Sequence, residues 1–582
     1  MTTNPRPLSP DPDVIRIGNC SGFYGDRHSA VAEMLDGGDV DVLTGDYLAE
    51  LTMLILARDH AKDPQTGYAK TFVSQMRECM ASAYAKNVQI VVNAGGMNPA
   101  ALAARLREIA KELNVPTQIA HVEGDNITRR APLLGLGTPL AANAYLGAWG
   151  MVECLRGGAD IVVTGRVTDA SLAVAPAAAH FGWARDDFDA IAGAMAAGHI
   201  IECSTQATGG NYSRFTEIDD LGRPGFPIAE IRRDGSSVIT KHAGTGGAVT
   251  VDTVTAQLVY EIQSARYAGP DATIRLDSIE LSADDQDRVY LSGVRGEAPP
   301  EQLKVSLNSI GGYRNEVEFV LVGLSIAEKA DLVRRQFESW LAQRPAELNW
   351  ELARTEVSDA DTEQRASAIL KCTARDPDPK LVGRAFSATA IELALASYPG
   401  FFVTNPPRDA TPYGVFTAGY VNQADVAHVA VLQDGSRRDI APPSSTVAEA
   451  AVTEPLLSYT AESPAASERI PLGAIALGRS GDKGGNANIG VWTRTDDEWQ
   501  WLASTLTVDQ LRLLLPETRD LPIQRVLLPN LRALNFVVEG LLGAGVAYNA
   551  RFDPQAKGLA EWLLSRHVEI PRRLLGSAPL AQ

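Results

Sequence analysis

The sequence predicts an α/β protein: a doubly wound, mostly parallel sheet, followed by an α+β region and a small α+β domain at the C-terminus. Two observations predict this class. In the first 200 residues, short β-branched runs alternate with segments rich in Ala and Leu, and the runs are almost continuously apolar. Strands of a parallel sheet that is covered on both faces have this pattern, whereas half-exposed strands alternate between apolar and polar residues. Later in the chain, such alternating runs replace the continuous ones.

The first domain contains predicted strands and helices in strict alternation. The strands are expected at 14–18, 40–45, 88–96, 117–125 and 159–166. The helices are expected at about 28–36, 46–61, 98–113, 142–157 and 169–179. This order is typical of parallel strands that are joined by crossover helices.

Composition divides the chain further. Its start is polar and rich in Pro, and a later segment is rich in Pro, Ser, Ala and Thr, as linkers are. After that linker, apolar runs and helical segments suggest a βαββαβ order. The predicted organisation is a disordered tail at 1–13, an α/β domain at 14–204, an α+β region at 205–440, a linker at 441–468 and a small α+β domain at 469–582.

Charge and hydropathy narrow the range of partners. The 582 residues carry a formal net charge of −18 at pH 7, and an acidic surface repels nucleic acid. No apolar run approaches the roughly 18 residues that a membrane-spanning helix needs, and the start lacks a signal-peptide pattern. We therefore expect a cytoplasmic protein without nucleic-acid or membrane partners. The five cysteines form no CxxC pair, so neither a structural zinc site nor a disulfide framework is indicated.

Each predicted strand of the first domain ends in a loop of Gly, Asp, Asn and Arg. These loops lie at 18–27, 44–50, 93–99, 121–126 and 164–171. Ligands of open α/β sheets bind beyond the carboxyl ends of the strands, where the N-termini of the following helices attract anions. The loops together therefore predict a binding crevice. Single loops have a structural alternative, since Asp46, Asn98 and Asp169 are good helix N-caps.

Charged side chains of these loops are candidates for catalysis and substrate recognition. Asp26 and Asp46 are the candidate general acid and base, with His121 as an alternative that equally suits a hydrogen-bonded core histidine. Arg27 and Arg166 are unfavourable beside helix N-termini unless they face an anion. We expect these two guanidinium groups to bind a substrate carboxylate or phosphate.

Glycines and amides of the loops supply the remaining predicted contacts. Backbone N–H groups at Gly95, Gly96, Gly209 and Gly210 are expected to hold an oxyanion. The other predicted substrate contacts of these loops are Asn93, Asn98, Asp169 and Asn211. No metal ligand is assigned, and a divalent metal on Asp26, Asp46 and Asp169 stays an alternative that the sequence does not demand. A nucleophilic Cys203 is a further alternative, although no histidine lies near it in sequence.

A glycine-rich segment at 478–491 lies between two apolar runs near the C-terminus. It combines five glycines with Asp482, Lys483, Asn486 and Asn488. A hairpin turn is the structural alternative, but a turn needs only one or two glycines. We expect a ligand-binding loop that forms a wall of the α/β crevice, in which the aspartate and lysine act in catalysis and the asparagines bind substrate.

Standard nucleotide-binding and hydrolase motifs do not occur in the sequence. There is no GxxxxGK[ST], GxSxG or HExxH, and GNCSGFYG lacks the spacing of the GxGxxG fingerprint. A dinucleotide-dependent oxidoreductase is therefore disfavoured despite the α/β pattern.

Taken together, the polar loops resemble the acyclic terpene utilisation (AtuA) family. The matching segments are 25–27, 44–50, 93–99, 164–169 and 208–211. The tail from Ile470 onward, which includes the glycine-rich segment, is similar to the ferredoxin-like C-terminal domain of that family. One departure is local: after Tyr260, Glu261 and Ile262 the chain continues QSARYAGPD instead of the expected YEIGDP-like segment, which argues against a ligand role for that loop.

The resemblance implies a place in the catabolism of branched isoprenoid acids such as citronellate and geranylate, which proceeds through acyl-CoA thioesters. The first hypothesis is an enzyme that hydrates, cleaves or hydrolyses an acyl-CoA or related carboxylate, with CoA as part of the substrate and no cofactor required. The second is a non-catalytic scaffold or accessory subunit of an acyl-CoA carboxylase or hydratase complex. Charged loops that converge in one concave pocket favour the enzyme, and dispersal over a flat surface favours the scaffold. A homo-oligomer is also expected.

Overall fold

The computed structural model describes residues 8–49, 52–448 and 466–575. These residues form two compact units. The larger unit contains the residues up to 308, 416–546 and those from 555 onward, and the smaller contains 309–415 and 547–554. The predicted boundary at 204/205 does not coincide with a boundary between the units. Most of the predicted linker, 449–465, and part of the predicted tail, 1–7, lie outside the described residues.

The secondary structure begins with strands and helices of the α/β type. In chain order, the strands of the first 300 residues are β1 (Val14–Asn19), β2 (Val42–Gly45), β3 (Gln89–Val92), β4 (Ile119–Glu123), β5 (Ala141–Ala144), β6 (Ile161–Thr164), β7 (Pro227–Arg232), β8 (Ser237–Lys241), β9 (Arg266–Ala268), β10 (Thr273–Arg275), β11 (Glu280–Asp285), β12 (Arg288–Ser292) and β13 (Arg295–Glu297). The later strands are β14 (Gln302–Val322), β15 (Glu347–Ala353), β16 (Ser367–Asp376), β17 (Phe402–Val403), β18 (Thr411–Asn422), β19 (Val429–Val431), β20 (Arg437–Asp439), β21 (Ser467–Pro471), β22 (Ala476–Lys483), β23 (Asn486–Thr493), β24 (Ile523–Leu528), β25 (Ala533–Val538) and β26 (His567–Pro571).

The helices occur throughout both units. They are α1 (Ala30–Gly37), α2 (Thr52–Lys62), α3 (Lys70–Ala85), α4 (Pro99–Glu112), α5 (Trp149–Arg156), α6 (Ser171–Phe181), α7 (Phe188–Ile201), α8 (Val251–Leu258), α9 (Ile326–Trp340), α10 (Pro379–Val382), α11 (Arg384–Glu392), α12 (Asp496–Thr505), α13 (Val508–Leu514) and α14 (Leu559–Leu564).

The main sheet has eleven strands in the order β11-β12-β8-β7-β1-β2-β3-β6-β4-β19-β20. The five central strands, from β1 to β4 in this order, are parallel. Every residue of β2, β3 and β6 is buried, as expected for strands that are covered on both faces. The flanking strands pair antiparallel. A mixed α/β fold is therefore confirmed, whereas a mostly parallel, doubly wound sheet is not, because strands of the predicted α+β region extend the same sheet.

The predicted alternation holds for all five strands of the first domain, but two helices were not predicted. One is α3, and the other is α7, in which nearly every residue is buried. A helix that is apolar all round lacks the amphipathic pattern that reveals surface helices. The helix expected at 142–157 is correspondingly shorter, because strand β5 precedes α5.

The C-terminal domain forms a four-stranded antiparallel sheet in the order β22-β23-β25-β24. In chain order it is β21, the β22-β23 hairpin, α12 and α13, the β24-β25 hairpin, α14 and β26, so the predicted βαββαβ order is present from β23 to β26, with two helices in the first helical position. Its apolar core contains Trp499, Phe536 and Leu563. The domain also packs on the α/β core, where the Trp492 indole N–H donates to Asp252 Oδ1 at 3.1 Å.

The glycine-rich segment is the first hairpin of this domain, which confirms the structural alternative. Lys483 pairs with Asn486 across a two-residue turn, and Gly484 has a φ of +63°. The other glycines allow close packing against α8 and the residues after it. A Cβ on Gly481 would lie 2.4 Å from the Tyr260 ring, and one on Gly490 would lie 2.4 Å from Val259 Cγ2.

The smaller unit is described by itself. Its sheet has the order β15-β16-β14-β17, in which β14 pairs with β16 and β17. Its core is aromatic: the Phe337 ring packs edge-on against Phe386 at 5.2 Å and against Trp350 at 5.5 Å between centroids.

Candidate functional site

Two loops at the carboxyl ends of β2 and β3 are locked together by buried hydrogen bonds. Asp46 Oδ1 accepts from the Leu48 N–H at 2.9 Å and from Asn93 Nδ2 at 2.5 Å. Asn93 Oδ1 in turn accepts from the Tyr47 N–H at 2.7 Å. Burial raises the pKa of Asp46 well above its usual value, the charge of Asp169 raises it further, and Arg166 opposes both. Asp46 is therefore a buried carboxyl group whose surroundings favour its neutral form.

Arg166 follows β6 and connects the same loops. Its side chain is only 4 % exposed, with Nη1 donating to the Leu48 carbonyl at 2.6 Å and Nη2 3.1 Å from Asp169 Oδ1. Its guanidinium also lies 4.3 Å from the centroid of the Tyr145 ring. This cation is therefore held by a carbonyl, a carboxylate and an aromatic face, and it presents no open fork to a substrate.

A buried carboxyl group fixes the backbone of this arginine. Asp125 Oδ2 accepts from the Arg166 N–H and from Asn143 Nδ2, both at 2.8 Å. Gly165 is required here, because a Cβ would come within 2.3 Å of Asp125 Oδ1. Burial raises the pKa of Asp125 to about 6, against the hydrogen bonds that it accepts.

Asp169 lies between this loop and the C-terminal hairpin. It is 28 % exposed and does not cap α6, whose N-cap is Ala170. Burial raises the pKa of Asp169, with Glu261 adding to the effect against Arg166, Lys483 and Lys304. Lys483 of the hairpin and Arg166 of the loop after β6 thus act on the same carboxyl group, and the wall that the hairpin was expected to form stays a prediction.

The hairpin positions Glu261 as well as Lys483. Lys483 Nζ lies 3.8 Å from Glu261 Oε2, and these side chains are 22 % and 34 % exposed. Asn488 Oδ1 accepts from the Glu261 N–H at 3.0 Å, and its Nδ2 donates to the Ile262 carbonyl at 3.0 Å. Burial favours the neutral acid, but Lys483 and Lys557 outweigh it and lower the pKa of Glu261. Glu261 is thus ionised in a concave setting that water reaches.

A tyrosine between two cations completes that side of the crevice. Lys557 Nζ donates to the Tyr260 hydroxyl and lies 3.9 Å from Asp482 Oδ1. The Arg479 guanidinium lies 4.4 Å from the centroid of the Tyr260 ring. The pKa of Tyr260 is raised well above its usual value, first by burial and then by Glu261.

The floor of the crevice holds an imidazole–carboxylate pair at the end of α7. His199 Nδ1 lies 2.9 Å from Glu202 Oε1, and the histidine side chain is 2 % exposed. Burial raises the pKa of Glu202, with His199 opposing it. A small cavity joins Glu202 to the first loops, and its lining includes Asn19, Asp46 and Asp169.

A lysine and two aromatic rings form the opposite wall. Lys304 Nζ lies 5.0 Å from the centroid of the Tyr145 ring and 5.3 Å from that of Phe416. A Cβ on Gly484, at the tip of the hairpin, would be 3.4 Å from the Phe416 ring. The hairpin tip and this wall therefore lie in contact.

Comparison with known families agrees with this assembly. The sequence matches the family described as acyclic terpene utilisation family protein AtuA over residues 15–432. The chain belongs to the AtuA family. Residues 470–569 match the AtuA ferredoxin-like domain, so the resemblance of both parts is confirmed. A search of curated proteins found no match.

The AtuA family is implicated in acyclic terpene utilisation, in agreement with the expected link to isoprenoid catabolism. Among the described residues of this AtuA-family chain, no helix is long and apolar enough to cross a membrane. Likewise, in residues 8–49, 52–448 and 466–575, no group of three or more His, Cys, Asp and Glu side chains is arranged to hold a metal ion.

The loop after β1 has its own network in this AtuA-family protein. The Asp26 carboxylate accepts from the Gly22 and Arg27 N–H groups. Arg27 Nη2 lies 3.1 Å from Glu33 and donates to the Pro224 carbonyl at 2.8 Å. Asp26 and Arg27 thus have structural partners, and this corrects the expectation that Arg27 must face a substrate anion.

His121 is a core histidine rather than a group of the crevice. It lies on β4, is buried, and its Nε2 is 2.9 Å from Glu123 Oε1. The hydrogen bond with His121, ahead of the opposing burial, lowers the pKa of Glu123 to about 2, and a hydrogen bond from Arg437 adds to the effect. Of the two alternatives for His121, the structure favours the hydrogen-bonded core residue.

The predicted oxyanion donors are already engaged. The N–H groups donate from Gly95 to Thr164, from Gly96 to Asn93, from Gly209 to Gln206 and from Gly210 to Thr205, in each case to the carbonyl oxygen. Asn98 caps α4 by accepting from the Ala101 N–H at 3.2 Å. The oxyanion role of these glycines is therefore wrong, and for Asn98 the capping alternative is confirmed.

The remaining predicted contacts hold the fold in place. The Asn211 carbonyl accepts from Arg479 Nη1 at 3.2 Å, and Asn486 Oδ1 accepts from the Gly540 N–H at 2.9 Å. Burial raises the pKa of the Cys203 thiol well above its usual value, and Glu202 adds to the effect. A thiol that keeps its proton is a poor nucleophile, so this alternative is not favoured.

The sequence analysis did not identify several groups that the structure places in the crevice. These are His199, Glu202, Tyr260, Glu261, Lys304 and Lys557. A pattern pointed to only one of these positions: the family-like Tyr260-Glu261-Ile262 segment, whose departure was taken as evidence against a role. His199 lies in α7 and Lys304 on β14, where local composition does not mark them, and Glu202 and Lys557 lie in turns.

Proposed function

We propose that the protein is an enzyme of branched or isoprenoid acid catabolism that acts on an acyl-CoA thioester or related carboxylate, as a hydratase, lyase or hydrolase. One observation carries the proposal: the crevice gathers carboxyl groups and lysines from β2, β6, α7, the segment after α8 and the C-terminal hairpin. Acid/base chemistry on a thioester needs positioned groups of both kinds. A flat scaffold surface would not need buried carboxyl groups with raised pKa values beside an ionised one.

The roles follow from accessibility and charge. Lys483 and Lys304 are the cations of the crevice that lie beside Asp169 and suit a substrate carboxylate or thioester oxygen. Arg166 pairs with Asp169 instead of the ligand. Asp46 stabilises the loops after β2 and β3 through the hydrogen bonds that it accepts. Asp482 positions Lys557 at 3.9 Å. The chemistry requires no cofactor, CoA enters as part of the substrate, and a cytoplasmic homo-oligomer stays part of the proposal.

Ligand-induced thermal stabilisation tests the proposal. The ligands are free CoA, the CoA thioesters of citronellate and geranylate, and Mg²⁺ as a separate arm. A ligand at 100 times its Kd adds about 2.7 kcal/mol to the free energy of unfolding, which raises the melting temperature measurably. We expect a thioester to stabilise the wild type, and Lys483→Ala to reduce that shift while Glu569→Gln, an exposed change in the same domain, leaves it intact. Failure of every thioester to stabilise the protein would favour the scaffold alternative.

A further inference from the structure

Glu261 has a backbone conformation that L-residues rarely adopt. Its φ is +57°, in the left-handed region that disfavours side chains with a Cβ. Such conformations persist where the surrounding structure holds them, and they concentrate at functional sites. The residue lies three positions after the end of α8, and a glycine there would adopt the same geometry without strain. The presence of glutamate at this position therefore calls for a role of its side chain.

The C-terminal domain holds the segment around Glu261 from several directions. Asn488 accepts from the Glu261 N–H and donates to the Ile262 carbonyl, each at 3.0 Å. Asn535 Nδ2 donates to that same carbonyl at 3.0 Å. Two hairpin glycines let the strands approach this segment closely, as their blocked Cβ positions show. The hairpin thus fixes where the Glu261 carboxylate points.

The Glu261 carboxylate interacts with Asp169, and the pKa values of these two carboxyl groups shift in opposite directions. Glu261 is 34 % exposed, lies 3.8 Å from Lys483 Nζ, and interacts with the charge of Asp169. Lysines lower the pKa of Glu261, whereas burial raises that of Asp169. Where the environments of interacting carboxyl groups move their pKa values apart, the group with the lower pKa is the one that is ionised and can act as a base.

We propose that Glu261 is the catalytic base of this crevice. The inference rests on the proposed function, since it takes an acyl thioester as substrate. Glu261 Oε removes the proton from C2 of the acyl chain; the C2–H bond breaks, an O–H bond forms, and the electron pair moves to the thioester oxygen. Lys483 stabilises the resulting enolate charge. Asn488 is a positioning residue, which acts through the Glu261 backbone.

Deuterium exchange tests this step without knowledge of the net reaction. Wild type in D₂O is incubated with the CoA thioester of citronellate, and incorporation of deuterium at C2 is followed by mass spectrometry. In D₂O the base returns a deuteron, so we expect exchange with wild type and a loss of at least 100-fold with Glu261→Gln. Glu261→Asp should recover part of the rate, and Glu569→Gln, exposed on β26, serves as the matched control at full rate.

Thioester binding, measured by thermal shift on the same variants, separates the two claims. Glu261→Gln should still bind, so its loss of exchange cannot come from misfolding. Binding by wild type with no exchange, or equal exchange in wild type and Glu261→Gln, would overturn the assignment of the base alone. Absence of binding to wild type would overturn the proposed function and this inference with it.

The positioning role of Asn488 has its own readout. Asn488→Ala removes hydrogen bonds to the Glu261 segment but no group that touches substrate. We expect the exchange rate at saturating thioester to fall at least tenfold, while the thioester concentration for half-saturation changes less than threefold. Equal changes in both quantities would indicate a general structural loss instead and would overturn the positioning role.

Discussion

Two glycine-rich segments of this protein each contain an adjacent acid–base pair, yet they are used differently. In the loop after β1, the pair is Asp26 and Arg27, and the arginine pairs with Glu33, only six positions away in the sequence. In the C-terminal hairpin, the pair is Asp482 and Lys483, and the lysine lies beside Glu261 in the crevice. The first pair anchors its loop to Glu33 and to the Pro224 carbonyl, whereas the second reaches the crevice through Glu261. Local composition alone therefore does not distinguish a site from a turn.

The largest expected difference comes from replacing the cation of each segment, Lys483 or Arg27, by alanine. Lys483→Ala should lower turnover of the thioester by at least 100-fold, because it removes the charge that stabilises the developing anion. Arg27→Ala should lower turnover less than threefold, since its partners are a local carboxylate and a carbonyl. Steady-state kinetics on both folded variants measures the difference. Equal losses would mean that both loops contribute to the site.

The hairpin glycines provide a second way to disrupt only one of the two segments. Gly490→Ala would place a Cβ 2.4 Å from Val259 Cγ2 and 2.9 Å from the Val259 carbonyl oxygen. Overpacking of this kind costs about 1–3 kcal/mol, which urea unfolding would detect. Gly222→Ala is the control, because its nearest neighbour would be Asp220 Oδ1 at 3.4 Å. An unchanged midpoint for Gly490→Ala would show that the hairpin does not pack closely on this segment.

The buried carboxyl group behind Arg166 makes stability depend on pH. The pKa of Asp125 is raised to about 6 in the folded protein, so the folded state binds a proton that the unfolded state has already lost. This contribution is fully present below the ordinary pKa of an aspartate, and it decreases as the pH rises to about 6. Between pH 4 and 6, the free energy of unfolding should therefore fall by about 1–3 kcal/mol less in Asp125→Asn than in the wild type. Urea unfolding at several pH values tests it; parallel profiles for variant and wild type would contradict the assignment.

The smallest effect is expected at a helix cap that the sequence also offered as a ligand contact. Asn98→Ala removes the hydrogen bond to the Ala101 N–H and should lower the free energy of unfolding by about 1 kcal/mol. Thioester-induced stabilisation should be unchanged, because the side chain serves α4. A smaller thioester shift in this variant would restore Asn98 to the crevice.

Much of the fold was predictable because burial on both faces leaves a clear pattern. The continuous apolar runs of β2, β3 and β6 located the centre of the sheet. The antiparallel flanks were assigned to a separate region, since pairing between β1 and β7 depends on contacts more than 200 positions apart, which composition does not encode. Helix α7 was missed because its residues are apolar on every side.

The site was predicted only in part, for a related reason. Asp46, Arg166, Asp169 and Lys483 were identified because polar residues at strand ends or among glycines are conspicuous. His199 and Glu202 lie at the end of a buried helix, where nothing in the local pattern marks them. Glu261 was discounted because the sequence after it differs from the family pattern, whereas its role depends on Asn488, 227 positions later.

The distance along the chain between Asp46 and Lys557 has a consequence for the order of events during synthesis. Domains fold as units while the ribosome is still extending the chain, so the main sheet is present long before the hairpin is made. Until then Glu261 lacks Asn488, and the crevice lacks Lys483. A chain whose synthesis stops before the hairpin therefore contains the five central parallel strands but lacks Lys483 and Asn488, so these contacts with Glu261 form only when translation is nearly complete.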